Sequence, residues 1–595
     1  MVFDYFPYLQ GRYFTYEQYF ALLLFLYTLI PALCLLTTGY ILGQCLCEKS
    51  ERRAEEKRWK RGLRWGQEGC YWVGALGLTV AMDVGSMFDW LAVQTTIFLS
   101  LLTLCCYFLF WGCRVFPSFS PLSALRSAAH SHPYCFFSLL TLSISFSFLA
   151  PLLSSGLCIC VYSPHIGPNL TAETNFSTRV MRMLTYERTC QGEEVCHVYL
   201  TGAEDMARFM FVNAQTSPSA SSLLIHYGLS SSSLFLTIPM TRFPIEGLDY
   251  LGERHVHSVL LPHLRPATRY FFRLYQGSEP ATGTYSFHTL PAPNTPLTTP
   301  LKLVIGGDSG SNQAAYRTAE LVKRLQPDLV VIGGDVAYDN AIPTCYESWD
   351  KFLEMMEQVV RADGDLVPMV LGIGNHDVGL NSLSQRPLVP SASGPLFFSL
   401  FPQHFPQQTS VQVPPIAARL SYFHLLAGPC LFLLLDSGYV APYSSPQSDW
   451  LNATLSQHAA IKYKFAVYHQ PIYGSSQRPD YDVMPVVQGL KHWVPLFDEH
   501  ALTVAFENHI HAMKRTKPLR GSRVEGKGTV YVGDGQWGTP GLPEELDAEE
   551  QLFEVKRKEN HVWLVEISEF NATVSAYSSQ SGAIIDHFSL PLYSL

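Results

Sequence analysis

Six short apolar runs in the second half of this 595-residue chain each stop at a side chain able to bind a metal ion. LKLVIGG leads to Asp308, DLVVIGG to Asp335, PMVLGIG to Asn375 and His376, KFAVY to His469, and LTVAFEN to His509 and His511. The sixth, LFLLL, leads to Asp436, which reads as structural. Runs of four to eight β-rich residues closed by Gly or a turn are buried strands. Open α/β sheets form their sites beyond the carboxyl ends of the strands, so these side chains are expected to converge on one cleft. Carboxylate and amide oxygens mixed with imidazoles suit a pair of first-row metal ions.

Spacing inside the runs adds detail. Asp335 to Tyr338 form GDxxY, in which one carboxylate can bridge two ions while a phenol three residues on reaches one of them. A phenol of pKa near 10 ionises at neutral pH only beside a strongly charged cation, which suggests a trivalent ion. His509 and His511 sit two apart, which on an extended segment puts both rings on one face. His376 follows Asn375 directly; successive side chains diverge at a strand end, so His376 is the candidate to donate a hydrogen bond to phosphoryl oxygens or a proton to the leaving group. Asp377, Asp436 and Asp534 read as structural or ligand-orienting, and His404 in FPQHFP as either structural or cleft-facing.

GGDSG at 306–310, GGDVAY at 333–338, GNHD at 374–377, VYHQP at 467–471 and NHIH at 508–511 resemble the five ordered motifs of the purple acid phosphatases, within the calcineurin-like metallophosphoesterases. That resemblance implies a four-layer α/β/β/α domain over 300–595. It also implies two metal ions: Fe(III) held by Asp308, Asp335, Tyr338 and His511, and a divalent Fe, Zn or Mn held by Asp335, Asn375, His469 and His509. A metal-bound hydroxide would then attack phosphorus in line. Two departures stand out. Asn508, preceded by Glu507, replaces the usual Gly, and the family's further substrate-facing His after the VxxH motif is missing, leaving Tyr473, Arg478 and Tyr481 as candidates in its place.

The first half is of another kind. Residues 19–45, 70–88, 91–113 and 134–162 are apolar enough to be read as spans, 70–88 being weakened by Asp83. The segment 46–69 is rich in Lys and Arg and the loop 114–133 carries Arg114 and Arg126 without an acid, so both are expected on the cytoplasmic side. Four spans then leave the rest of the chain lumenal or extracellular. Sequons at Asn169, Asn175, Asn452 and Asn571 and a small disulfide loop between Cys190 and Cys196 agree with that side.

Residues 1–163 are thus expected to be an α-helical transmembrane region and 164–196 a linker. Regularly spaced strand-like runs over 197–292 predict a β-sandwich, and the stretch ending FHTLPAP resembles the fibronectin type III-like domain that precedes the catalytic domain in plant-type relatives. PAPNTPLTTP at 291–300 reads as a linker. Trp349, Phe352, Leu353, Met356 and Val360 repeat at helical spacing and are expected in the core. A net charge of −9 carries no nucleic-acid footprint. The expected partners are a lipid bilayer and a phosphorylated substrate, with oligomeric state open. The function expected is hydrolysis of phosphomonoesters. The alternatives are phosphodiester or pyrophosphate hydrolysis on nucleotides or lipid head groups, and a catalytically silent binding or adhesion protein.

Overall fold

The computed structural model describes residues 194–245, 254–339, 346–378, 395–402, 413–476, 483–533, 535–539, 546, 550–569 and 571–590. The four expected spans, Cys190, Asn169, Asn175, His404, Arg478, Tyr481 and Asp534 lie outside them. Among the described residues no helix is long and apolar enough to cross a membrane.

The apolar runs are strands. Leu301–Gly306, Leu329–Gly333 and Met369–Gly372 pair in parallel, in register Val304↔Val330 and Val331↔Val370. Cys430–Leu434, Tyr463–Val467, Val504–Phe506 and Val530–Gly533 form a second parallel set. Each strand is buried on both faces, as parallel strands are, and the period of two divides its residues between cores. Leu303, Ile305, Val331, Val370, Phe432, Leu434, Phe465 and Val504 share the core between the two sheets. The intervening residues face outward to helices: Val304, Val330 and Leu371 pack with Trp349, Phe352 and Phe397, and Leu431, Leu433 and Ala466 with Leu451, Trp493 and Phe497. The result is helix, sheet, sheet, helix.

Helix Gln313–Leu325 starts at Asn312, whose Oδ1 accepts from Ala315 N at 3.0 Å. Helix Glu347–Glu357 buries Trp349, Phe352, Leu353 and Met356. It stops before Val360, which bridges to Leu366 and is half-exposed; Val359 is the buried residue there. The helical spacing was therefore extended one turn too far.

The sandwich begins at Val195. One layer comprises Val195–Thr201, Met210–Thr216, Arg254–Leu261 and Thr241–Ile245; the other is Leu223–Gly228 between Leu236–Pro239 and Arg269–Gln276, with Glu279–Pro280 and Tyr285–His288 on the last. The first layer does not stop at the domain edge. Thr201 pairs in parallel with Met369 and Gly202 N donates to Met369 O at 2.9 Å, which makes one ten-stranded sheet ending at Ile584–Ser589. A second stitch reaches the edge strand Phe423–Ala427 of the seven-stranded sheet: Leu426 N donates to Glu204 O at 2.7 Å and Met206 N to Leu426 O at 3.1 Å. Cys196 is disulfide-bonded, and its partner lies outside the described residues.

Candidate metal centre

All the parallel strands of the two sheets that carry the motifs deliver their C-terminal ends to one place, and the turns that follow are zipped together. Asp308 N donates to Gly334 O at 3.1 Å and Ser309 N to Asp335 O at 3.0 Å, extending the strand ladder into the loops. On the other sheet Tyr468 N donates to Phe506 O at 3.1 Å and Asn508 N to His469 O at 2.9 Å. Asp308, Asp335, Tyr338, His509 and His511 all adopt positive φ, between 51° and 75°. Left-handed backbone is costly for such residues and persists where surrounding structure over-determines it, commonly at functional sites. The approach is also close: a Cβ on Gly374 would lie 2.3 Å from Asp335 Oδ1, and one on Gly535 1.7 Å from Asp308 Oδ2.

The donor atoms fall into two groups. In the first, Asp308 Oδ1 lies 3.1 Å from His511 Nε2 and 3.3 Å from Tyr338 OH, and Tyr338 OH lies 3.2 Å from His511 Nε2. In the second, Asn375 Oδ1 is 3.0 Å from both His469 Nε2 and His509 Nδ1, which are themselves 3.2 Å apart. Asp335 completes the second group with Oδ2 3.2 Å from His469 Nε2; that oxygen is buried and has no hydrogen-bond partner. Carboxylate, amide, phenol and imidazole groups that converge on two shared points are what a cation can draw together. The donor set fits a pair of metal ions.

Charge states follow from the packing. Burial pushes the Asp335 carboxyl up, but His469, His376 and His509 outweigh it and hold it well below the usual carboxylate range. Burial lowers His469, and Asp335 and Asp308 more than compensate, raising it to about 9. Burial and the carboxylates of Asp308, Asp335 and Asp377 push the Tyr338 phenol well above 10, so it ionises only with a cation alongside.

Supporting residues surround this set. Asp377 accepts from Asp335 N at 2.9 Å, Val336 N at 3.0 Å and Gly374 N at 2.8 Å, tying two motifs together, while burial and Asp335 raise its pKa. His376 donates its backbone N–H to Asp335 Oδ1 at 2.8 Å; its ring lies 4.6 Å from the Tyr338 ring, with the side chain 23% exposed. Asp436 accepts from the N–H groups of Tyr439, Val440 and Ala441, which makes it a loop anchor. Tyr439, which no motif singles out, sits with its ring 5.9 Å from that of His469 and its hydroxyl on Gln470 Oε1 at 3.4 Å.

Two substrate-side candidates are not at the cleft surface. Asn508 is 3% exposed: its amide fills the space that Cβ atoms on Gly307 and Gly333 would occupy, each within 2.1 Å of it, and donates to Tyr468 O at 2.8 Å. Tyr473 is buried, with its hydroxyl on Ser522 Oγ at 2.8 Å and its ring against Tyr531. Asn452 and Asn571 are surface residues, and Asn452 Oδ1 lies 2.8 Å from His500 Nε2.

The chain resembles known proteins over this region. The family described as Purple acid Phosphatase, N-terminal domain, matches residues 195–289, and Calcineurin-like phosphoesterase matches 301–513. Among curated relatives, purple acid phosphatase 23 of Arabidopsis thaliana is 25% identical over 353 residues, covering 53% of this chain and 72% of the relative. Purple acid phosphatase 15 of the same plant is 23% identical, covering 49% and 56%. Among solved structures, a purple acid phosphatase from yellow lupin (Lupinus luteus) superposes with a TM-score of 0.55 at 15% identity, covering 67% of this chain and 74% of that one. That likeness bears on the fold.

Proposed function

We propose that this chain, a phosphate ester hydrolase built from a purple acid phosphatase N-terminal domain and a calcineurin-like phosphoesterase domain, cleaves phosphomonoesters with two metal ions held at the joined strand ends. The observation that carries the reading is the pair of donor groups, Asp308–Tyr338–His511 and Asn375–His469–His509, with Asp335 Oδ2 unpartnered beside the second. Asp335 would serve both ions, and Tyr338 would favour Fe(III) in the first position, with a divalent Fe, Zn or Mn in the second. When bound, the ions supply charge stabilisation for the transferring phosphoryl group and an acidified water.

The chain's own groups do the rest. Burial lowers the pKa of His376, so at neutral pH its ring is an uncharged N–H donor. From its partly exposed position it donates to a phosphoryl oxygen. Asp377, fixed by three backbone N–H groups, orients the turn that carries Asp335. The apolar segments 19–45, 70–88, 91–113 and 134–162 and the basic loops 46–69 and 114–133 support a multi-pass membrane anchor with the catalytic domain on the lumenal or extracellular side.

The test is the full chain purified in detergent. Two metal ions per chain are expected, with turnover of phosphomonoesters exceeding that of diesters and pyrophosphates. A visible absorption band is expected that Tyr338→Phe bleaches while the ion content stays near two. A colourless, active protein holding only divalent ions would remove the tyrosine–iron pairing and leave the hydrolase in place.

A further inference from the structure

The Glu507–Asn508 step, where the chain departs from the pattern it resembles, has a use beyond filling space. Glu507 and Lys514 are fully buried and form an ion pair. Glu507 Oε1 accepts from Tyr468 OH at 2.6 Å and from Ile472 N at 2.7 Å, and Tyr473 N lies 3.4 Å from each carboxylate oxygen. Lys514 Nζ also donates to Tyr473 O. The residue before His469 and the residues three and four after it are thus held by one carboxylate. That carboxylate sits two residues ahead of His509.

Stability alone does not call for this arrangement, since a buried ion pair is commonly matched or bettered by apolar side chains of similar volume. An apolar pair cannot accept from Tyr468 OH and Ile472 N. Without that acceptor the turn 468–473 keeps Asn508 on Tyr468 O and His469 O and Tyr473 OH on Ser522, and loses the tie that joins both its ends to the residue two before His509. Tolerances at metal sites are small, and groups that orient ligands are worth a factor of roughly 10 to 100 in affinity.

We propose that Glu507 is a positioning residue of the metal centre. With Lys514 as counter-ion, it locks the His469 turn to the His509–His511 segment and so sets the 3.2 Å approach of His469 Nε2 to His509 Nδ1, the two imidazole donors of one ion position. The proposal rests on the metal-centre reading above.

The test compares the wild-type full chain with Tyr468→Phe, the double variant Glu507→Leu/Lys514→Met, and Arg515→Met. The last breaks the Arg515–Asp586 pair, 2.7 Å long and on the opposite face of the strand Met513–Thr516 from Lys514, as a control for loss of stability. Each is loaded with Mn2+; bound ions are counted, competed with a chelator, and set beside thermal melting, kcat and KM for a phosphomonoester. The double variant, which leaves Tyr468 OH and Ile472 N without their acceptor, is expected to stay folded with a lowered melting temperature and to hold its weaker ion at least about tenfold less tightly, with kcat lowered and KM little changed. Tyr468→Phe, which deletes the hydroxyl held by Glu507 and keeps the ring, should move in the same direction by less, and Arg515→Met should leave both ions in place. A folded double variant with wild-type affinity for both ions overturns the proposal, and if that variant does not fold, wild-type affinity in Tyr468→Phe, which removes a donor to the Glu507 carboxylate, overturns it. A wild-type chain that binds no ion removes the metal-centre reading itself, which separates the two failures.

Discussion

The metal centre and the junction between sandwich and catalytic domain are both made of buried histidine and aspartate, and they use them in opposite ways. At the junction His197 is closed on both sides, Nε2 at 2.9 Å from Asp350 and Nδ1 at 3.0 Å from Glu357, while Arg254 holds the other Asp350 oxygen at 3.2 Å. Charges there cancel in pairs. At the strand ends nitrogen faces nitrogen, and an aspartate oxygen is buried without a hydrogen-bond partner. The lesson is that burial of charged residues does not by itself mark function; convergence of several ligand-type groups on shared points, in place of closed ion pairs, is what sets the strand ends apart.

The sharpest way to break the contrast is Asp335→Asn. Its bound backbone partner, His376 N, can still be satisfied by an amide oxygen, so the fold should persist while both ions and all measurable hydrolysis disappear. Normal turnover with two ions bound would end the reading of Asp335 as the shared ligand.

Next in size is His376→Ala, which should leave two ions in place and lower kcat by a factor on the order of 10² to 10⁴. Release of the ions instead would move His376 from substrate donor to structural support.

The smallest effect belongs to the junction. Asp350 and Glu357 outweigh the burial that lowers His197 and raise it to about 9, against an ordinary value of 6.5. A folded-state pKa above the unfolded one contributes stability that is complete below about pH 6.5 and is lost as pH rises through 9. The total is on the order of 3 kcal/mol at most. Thermal melting between pH 6 and 10 should show the decline, and His197→Gln should flatten it without changing ion content. A wild-type curve that is level across this range would show that His197 is not the charged clamp described.

Much of this was legible in the sequence because buried parallel strands announce themselves as apolar runs, and a polar residue at the end of such a run has one place to go. The ligand candidates at Asp308, Asp335, Tyr338, Asn375, His469, His509 and His511 are all brought together on that logic. What stayed hidden depends on pairing across long separations. Tyr439 follows a run whose Asp436 serves as an anchor, and its approach to His469 is set by how two strands align. The Glu507 network joins residues up to 41 positions apart through a tyrosine hydroxyl, a lysine and main-chain groups, which leave no periodic trace. Asn508 reads as a polar residue beside two ligands, and only the absence of Cβ atoms at Gly307 and Gly333 shows that its amide lies beneath them. Val360 was drawn into the core by spacing alone, and the helix ended first.

The stitches at Met369 and Leu426 change what the stretch 291–300 can do. Read as a linker, it suggests a hinge between separable bodies. With strand hydrogen bonds running from Gly202 to one sheet and from residues 204–206 to the other, a single protease cut in PAPNTPLTTP should leave two fragments that travel together through a sizing column and part only in denaturant. The same contacts occupy the N–H and carbonyl of Leu426 on Phe423–Ala427, the terminal strand of its sheet, and an interrupted rim is a poorer template for a second chain. The sandwich is in that sense a permanent stopper on the catalytic sheets, and deleting it should yield a protein that clumps before it loses its ions.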